Sequence, residues 1–171
     1  GCAQVDFGEA DFNEDTICVR RKYLVVSFPY SNDSYSQLFR GETAECVCQG
    51  LMDIFNYIGG VPTLLVFDNA TGVGHRVMGQ IHETELFARF RAHYGFRIRF
   101  FFCNPYAGYE KGNVENKVGT TRRNLFVPIP TYHDIEAYNR TLLDQHVKKA
   151  SESHYKKGNV ISELFEEDRK H

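Results

Sequence analysis

The sequence lacks the features that would place it in a specialised class of protein. No apolar run approaches the roughly 18 residues that a membrane-spanning helix needs, and no signal peptide is recognisable. The five cysteines are an odd number at irregular positions, so we do not expect a disulfide framework. We expect a reducing, cytoplasmic setting instead. Cys46 and Cys48 are too close together for a usual zinc pair, and we expect Cys18, within a strand, to be buried. With membrane, secreted and disulfide-rich classes disfavoured, we expect an ordinary globular domain.

Net charge of either sign is also nearly absent. The 171 residues contain 20 Lys+Arg and 22 Asp+Glu, for a formal net charge of -2. The total charge therefore gives no indication of nucleic-acid binding. Its distribution is uneven, because residues 97–123 contain six basic and two acidic residues.

Hydrophobic periodicity predicts an α/β order of elements. Strands are predicted over 3–7, 16–28 and 34–39, followed by helix 42–58, strand 62–68, helix 83–94, strand 97–103 and helix 111–125. Gly59 and Gly95 are expected to end two of the helices. The order β-β-β-α-β-α-β-α is that of the RNase H-like fold, with a mixed five-stranded sheet and flanking helices.

The chain after residue 126 differs in kind. Pro128 and Pro130 interrupt it, and Asp134 is a candidate cap for a helix over 135–149. We therefore predict an RNase H-like core domain over 1–126 and, over 127–171, a partly helical extension or a linker towards a further domain. The chain begins without Met, and we expect it to be part of a longer protein.

Three carboxylates stand out by their positions in this order. Asp6 lies within the first strand, Asp68 at the carboxyl end of the fourth, and Glu115 on the helix after the last strand. Neighbouring first and fourth strands would bring Asp6 and Asp68 together, where open α/β sheets place ligand sites. The alternative for each acid taken singly is an ordinary solvated side chain.

Convergent carboxylates without basic partners repel one another unless cations neutralise them. Hard oxygen ligands suit Mg²⁺ or Mn²⁺. Two such ions about 4 Å apart can activate an attacking oxygen and stabilise the leaving oxygen of a phosphodiester. Asp6, Asp68 and Glu115 are therefore the predicted metal ligands and catalytic residues.

The segments that carry these acids resemble a known family. VDFGEADF, VFDNATGVG and above all CNPYAGYEKGNVENKVG look like the catalytic core of IstA-type transposases, which belong to the DDE transposase and retroviral-integrase superfamily. The similarity covers about residues 3–126 and places the acidic triad on Asp6, Asp68 and Glu115. The 46 residues between Asp68 and Glu115 exceed the integrase spacing and predict an insertion after the fourth strand.

The resemblance implies two reactions at one site. Water attacks a phosphodiester at the transposon end, and the freed 3'-hydroxyl then attacks target DNA. It also implies action in the bacterial cytoplasm at the nucleoid, a homo-oligomer in the full-length protein, and an ATPase helper subunit. The sequence has no G-x-x-x-x-G-K-[ST] loop, so ATP dependence would belong to that helper. The family's amino-terminal DNA-binding helix-turn-helix has no counterpart here.

Candidate DNA-contacting residues surround Glu115. Lys111 and Arg122 share a helix face with it and are predicted to hold phosphates, whereas Lys117 and Arg123 flank that face and are equally explained as solvated charges. Two further candidates each have a structural alternative. Asn69 could position a phosphate or a metal-bound water, or equally cap the following turn. Tyr106 could stack on a splayed base, or simply be part of a turn.

Two other functions remain open on the same fold. One is a structure-specific or RNA-cleaving nuclease, which would cleave without joining strands. The other is a non-catalytic RNase H-like module used for assembly, which would not bind Mg²⁺ or Mn²⁺ through Asp6 and Asp68.

Overall fold

The structure, a computed structural model, describes residues 1–41, 43–67, 74–77, 80–100 and 118–153. The strands in these ranges are β1 Cys2–Glu14, β2 Ile17–Phe28, β3 Asp33–Phe39, β4 Leu64–Phe67, β5 Gly74–Val77, β6 Gln80–Glu83, β7 Arg97–Phe100 and β8 Thr131–Tyr132. The helices are α1 Ala44–Ile58, α2 Glu85–Tyr94, α3 over residues 118–125 and α4 Ile135–Ser153.

One mixed sheet organises these elements in the order β3-β2-β1-β4-β7. β2 is antiparallel to both of its neighbours, whereas β4 is parallel to both of its own. The short β8 pairs with the far end of β1. The predicted RNase H-like order, including the adjacency of the first and fourth strands, is confirmed.

The observed strands differ from the prediction in two ways. β1 continues to Glu14 rather than ending near Phe7, because every residue from Gly8 to Glu14 pairs with β2 and because Phe12 is fully buried. The second difference is the antiparallel hairpin of β5 and β6, which was not predicted as strands but lies after β4, where the long spacing predicts an insertion.

The helices between the strands end at the predicted glycines but begin two residues later than predicted, and Glu83 belongs to β6. α1 is capped by the Thr43 hydroxyl, which accepts a hydrogen bond from the backbone N–H of Cys46, and it ends at Gly59. α2 has the same arrangement, with Thr84 at its start and Gly95 at its end. Both glycines have positive φ, a conformation that other residues adopt at a cost.

The two faces of the sheet carry separate apolar cores. Side chains of β1 alternate between them, so Ala3 and Val5 pack with α1 and α2, whereas Ala10 and Phe12 pack with α3 and α4. The hairpin of β1 and β2 extends past the covered part of the sheet, where Ile17 is 66% exposed. Cys18 is exposed there, so the prediction that it is buried was wrong.

α4 closes the outer edge of the sheet at β3. The Asn139 side chain accepts a hydrogen bond from the Leu38 backbone N–H at 2.7 Å and donates one to the Leu38 carbonyl at 3.0 Å. Leu142 joins one core and Leu143 the other, so the helix straddles the edge. α4 thereby occupies strand-pairing groups that would otherwise remain open. None of the helices that the structure describes combines the length and apolarity needed to cross a bilayer.

Replacing Asn139 should test how strongly this edge contact holds the fold. Asn139→Ala leaves the N–H and carbonyl of Leu38 without these partners, and we expect a loss of about 2 kcal/mol in the free energy of unfolding. Denaturant titration would measure it. Asn56→Ala, an exposed asparagine on α1, is the matched control, and an equal loss in both variants would contradict the assignment.

The end of the hairpin contains a pH-dependent contact. The Asp15 carboxylate lies 2.7 Å from Nδ1 of His133, and this hydrogen bond raises the pKa of His133 above its ordinary value of about 6.5. The contact therefore stabilises the fold below that ordinary pKa and is lost as the pH rises through the folded-state pKa. In an NMR titration, Asp15→Asn should lower the pKa of His133, and an unchanged value would show that the contact is absent in solution.

Candidate active site

Asp6 is a buried carboxylate near the middle of the sheet. It is 8% exposed, pairs with Val25 of β2, and lies on the face covered by α3 and α4. Its Oδ1 accepts a hydrogen bond from the backbone N–H of Phe7 at 2.8 Å. A carboxylate in such a position is costly unless bound partners compensate for its lost hydration.

The end of β4 lies beside this position. The parallel register joins Cys2 to Leu64 and ends with Val5 opposite Phe67, so Asp6 is the next residue along β1. Asp68 and Asn69 follow Phe67 in the sequence and lie outside the described residues. The register therefore places Asp6 directly beside the end of β4.

α3 packs closely on the same face of the sheet. A Cβ atom built on Gly8 would lie 2.9 Å from Cγ1 of Val118, the first described residue of the helix, and 2.6 Å from the phenol end of Tyr23. The absence of a side chain at Gly8 is what permits this approach, two residues along β1 from Asp6. Phe126, just past the helix, stacks edge-on against Tyr23 with ring centroids 4.9 Å apart.

Tyr23 connects the sheet to this helix. Its ring is fully buried, and its hydroxyl donates a hydrogen bond to the backbone carbonyl of Val118 at 3.3 Å. Burial raises the pKa of Tyr23; the Arg122 guanidinium opposes this shift, and the Asp6 carboxylate adds to it. The phenol is therefore protonated at neutral pH and remains a donor.

Three of the predicted site residues are among those that the structure describes. Asp6 lies on β1, and Arg122 and Arg123 are exposed on α3, where Arg123 donates to the Thr120 hydroxyl at 3.4 Å. The other predicted site residues lie outside the described residues: Asp68, Asn69, Tyr106, Lys111, Glu115 and Lys117. Among the described residues, no three carboxylate, His or Cys side chains form a group that could hold a metal ion.

Sequence reasoning did not identify Gly8 and Tyr23. Tyr23 begins the apolar run YLVV of β2, and in the sequence it looks like an ordinary core residue. The available signal was the pairing of a glycine in one strand with a large aromatic residue in the next, since glycine inside a strand often marks a close approach. Recognising it required the register Gly8 to Tyr23, which the sequence alone does not specify.

Comparison with known proteins gives a consistent set of relatives. No protein-family model matches the chain. It is 30% identical over 174 residues to a transposase of Aminobacter aminovorans, which covers 94% of this chain and 34% of that protein. It is also 30% identical to a putative transposase for the insertion sequence element IS5376 of Geobacillus stearothermophilus, over 74% of this chain and 32% of that protein. The chain thus spans about a third of the length of these relatives.

Solved structures show the same fold. The catalytic core domain of HTLV-2 integrase, in a trimeric form in complex with magnesium, aligns with a TM-score of 0.60 and 12% identity over 95% of this chain and 94% of that one. The catalytic core domain of BIV integrase aligns with a TM-score of 0.56 and 15% identity over 97% and 93% of the two chains.

The sheet order identifies the fold that is shared with the integrase cores, and the transposase relatives supply the sequence similarity. Together they support this chain as a member of the DDE transposase and retroviral-integrase superfamily.

Proposed function

We propose that this chain is the catalytic part of an IstA-type transposase, which cleaves DNA at the 3' ends of an insertion sequence and joins those ends to target DNA. The observation that carries the proposal is the position of Asp6, a buried carboxylate at the point where β1, β4 and the face under α3 meet. The relatives named transposase support the assignment to DNA transposition.

Asp68 is proposed as the second acid. Val5 and Phe67 are paired, and Asp6 and Asp68 are the residues that follow them in the sequence. Covalent geometry and strand spacing then limit the distance between the two Cα atoms to at most about 12 Å. That limit is compatible with two carboxylates that share bound cations.

Glu115 is proposed as the third acid. It precedes Val118 by three residues, and Val118 packs over Gly8 on the face of the sheet that includes Asp6. Residues three apart lie on one side of a helix, so a helix that extends back from Val118 would direct Glu115 towards the same face. Val118 and Phe126 are buried in the apolar cluster on this face, and their packing holds α3 there.

This donor set fits hard divalent cations. Asp6 is buried, and oxygen-only ligands favour Mg²⁺ or Mn²⁺ over softer metals. Asp6, Asp68 and Glu115 would hold the ions, and two bound ions would supply charge stabilisation for the attacking and leaving oxygens of a phosphodiester. One of the integrase cores of the same fold was solved in complex with magnesium, which supports divalent metal use.

The chain's own residues would bind and orient the DNA. Arg122 and Arg123 are exposed on α3, and their guanidinium groups can hold phosphates beside the acids. Lys111, Lys117, Asn69 and Tyr106 are proposed to contribute to the same surface.

The wider assignment follows the same reasoning. We propose a catalytic core over 1–126 and an extension over 127–171, a homo-oligomer of the full-length protein on transposon-end and target DNA, and an ATPase helper subunit in the bacterial cytoplasm at the nucleoid. The described part of the extension packs on β3 and supplies Leu142 and Leu143 to the two cores.

The decisive variant is Asp6→Asn in the full-length protein. The substitution keeps the shape of the side chain and removes its charge. Loss of a residue that only supports a metal ligand lowers activity by up to about 100-fold, so loss of a ligand itself should lower strand transfer by at least that factor. A gel assay with precleaved element ends measures joining separately from cleavage. Mn²⁺ binding to the same variant, followed by the EPR signal of free Mn²⁺, should be weakened in parallel.

Asp11→Asn is the matched control, because Asp11 lies on the same strand but is exposed and ion-paired with Arg20. We expect it to retain wild-type joining. Near-normal joining by Asp6→Asn would refute the site assignment. Cleavage without joining by the wild-type protein would indicate a nuclease, and an absence of Mn²⁺ binding would indicate an assembly module.

A further inference from the structure

Tyr23 is a described side chain that contacts both β1 and α3 beside the proposed site. Its hydroxyl donates to the carbonyl of Val118 on α3 and lies against the Cα position of Gly8 on β1. Among the charges that act on this hydroxyl, Arg122 lowers the pKa of Tyr23 and Asp6 raises it. The strand that carries the buried acid and the helix beside it are therefore joined through one phenol group.

The packing around Tyr23 sets the distance between the helix and the sheet. Phe126 closes one side of the ring with centroids 4.9 Å apart, and Val118 covers the hydroxyl end. A Cβ atom on Gly8 would lie 2.6 Å from both Cζ and Oη of Tyr23, so no space separates the phenol from β1. A shift of α3 relative to β1 would break the hydrogen bond or force the ring to move.

This contact lies close to the positions that matter for catalysis. In the sequence, Val118 is three residues after Glu115 and four before Arg122. Gly8 is two residues after Asp6 on the same face of β1. A displacement of α3 would therefore move Arg122, and the described start of the helix at Val118, relative to Asp6.

We propose that Tyr23 is a positioning residue of the metal site, whose hydroxyl holds α3 at a fixed height above the part of β1 that carries Asp6. This inference rests on the proposed function. Tyr23 does not contact substrate in this role: it acts through the backbone of α3.

The chain offers a matched comparison for this hydroxyl. Tyr138 lies in the same apolar cluster, where its ring stacks against Tyr132 with centroids 5.3 Å apart. Its hydroxyl is buried, and no hydrogen-bond partner for it is present among the described residues. Tyr138→Phe and Tyr23→Phe therefore make the same chemical change in the same core, but only the second removes a bond to α3.

The experiment compares these two variants in the full-length protein. For Tyr23→Phe we expect Mn²⁺ affinity to fall about 10-fold, in the range found when a residue that orients a metal ligand is lost. The Mg²⁺ concentration for half-maximal strand transfer should rise in proportion, and kcat should fall while KM for DNA stays unchanged. Tyr138→Phe should match the wild type in all of these measurements.

The outcomes separate this inference from the proposed function. Equal Mn²⁺ affinity in Tyr23→Phe and the wild type, with the expected defect in Asp6→Asn, would overturn the positioning role and leave the metal site in place. A fall in thermal stability without a change in Mn²⁺ affinity would likewise show that Tyr23 is only structural. Wild-type behaviour of Asp6→Asn would instead refute the proposed function on which the inference rests.

Discussion

The parallel pairing of β1 with β4 is the interaction on which the rest of this structure depends. Among the described residues four pairs form it, from Cys2–Leu64 to Val5–Phe67, yet it joins the antiparallel half of the sheet to the parallel half. Val5 and Phe67 are both fully buried, so the pairing is protected from water. Because β7 attaches to the sheet only through β4 in the described strands, the pairing also determines where α2 and its apolar face lie.

The same pairing places a destabilising residue at a central position. Asp6 follows directly after the pairs, on a strand whose neighbouring residues Val5 and Phe7 contribute to the apolar core on the other face. A buried carboxylate there costs free energy that an apolar side chain would not. Gly8, two residues on, also gives up side-chain packing to admit Tyr23 and Val118. Departures from local rules that concentrate in one place are typical of functional sites.

Much of the fold could be predicted from the sequence because its signals are local. The period-two segments, the apolar run LLVF and the glycines after α1 and α2 specify elements through their neighbours in sequence, and Asp6 stood out by its strand context. The remainder depends on contacts between distant residues. The continuation of β1 to Glu14 depends on pairing with β2, and the docking of α4 depends on Asn139 meeting the backbone of Leu38.

The role proposed for Tyr23 was hidden for the same reason. In the sequence it is one of several aromatic residues in an apolar strand, and nothing close to it in the chain indicates a polar partner. Its hydroxyl finds the carbonyl of Val118, which is 95 residues away. Only the sheet register and the close packing of α3 bring the two together, and both are properties of the folded chain.

The near-zero net charge now has a structural explanation. On the exposed part of the β1–β2 hairpin, Glu9 and Asp11 pair with Arg20, and Glu9 also pairs with Lys22. Such exposed pairs contribute little to stability, but they cancel one another's field locally. The exposed Arg122 and Arg123 on α3 lie in a different part of the molecule, and cations bound to the acids would add positive charge beside them. A total charge of -2 therefore averages over parts of the molecule that differ as much as the neutralised hairpin and the exposed arginines of α3, and it does not argue against a local surface that binds DNA.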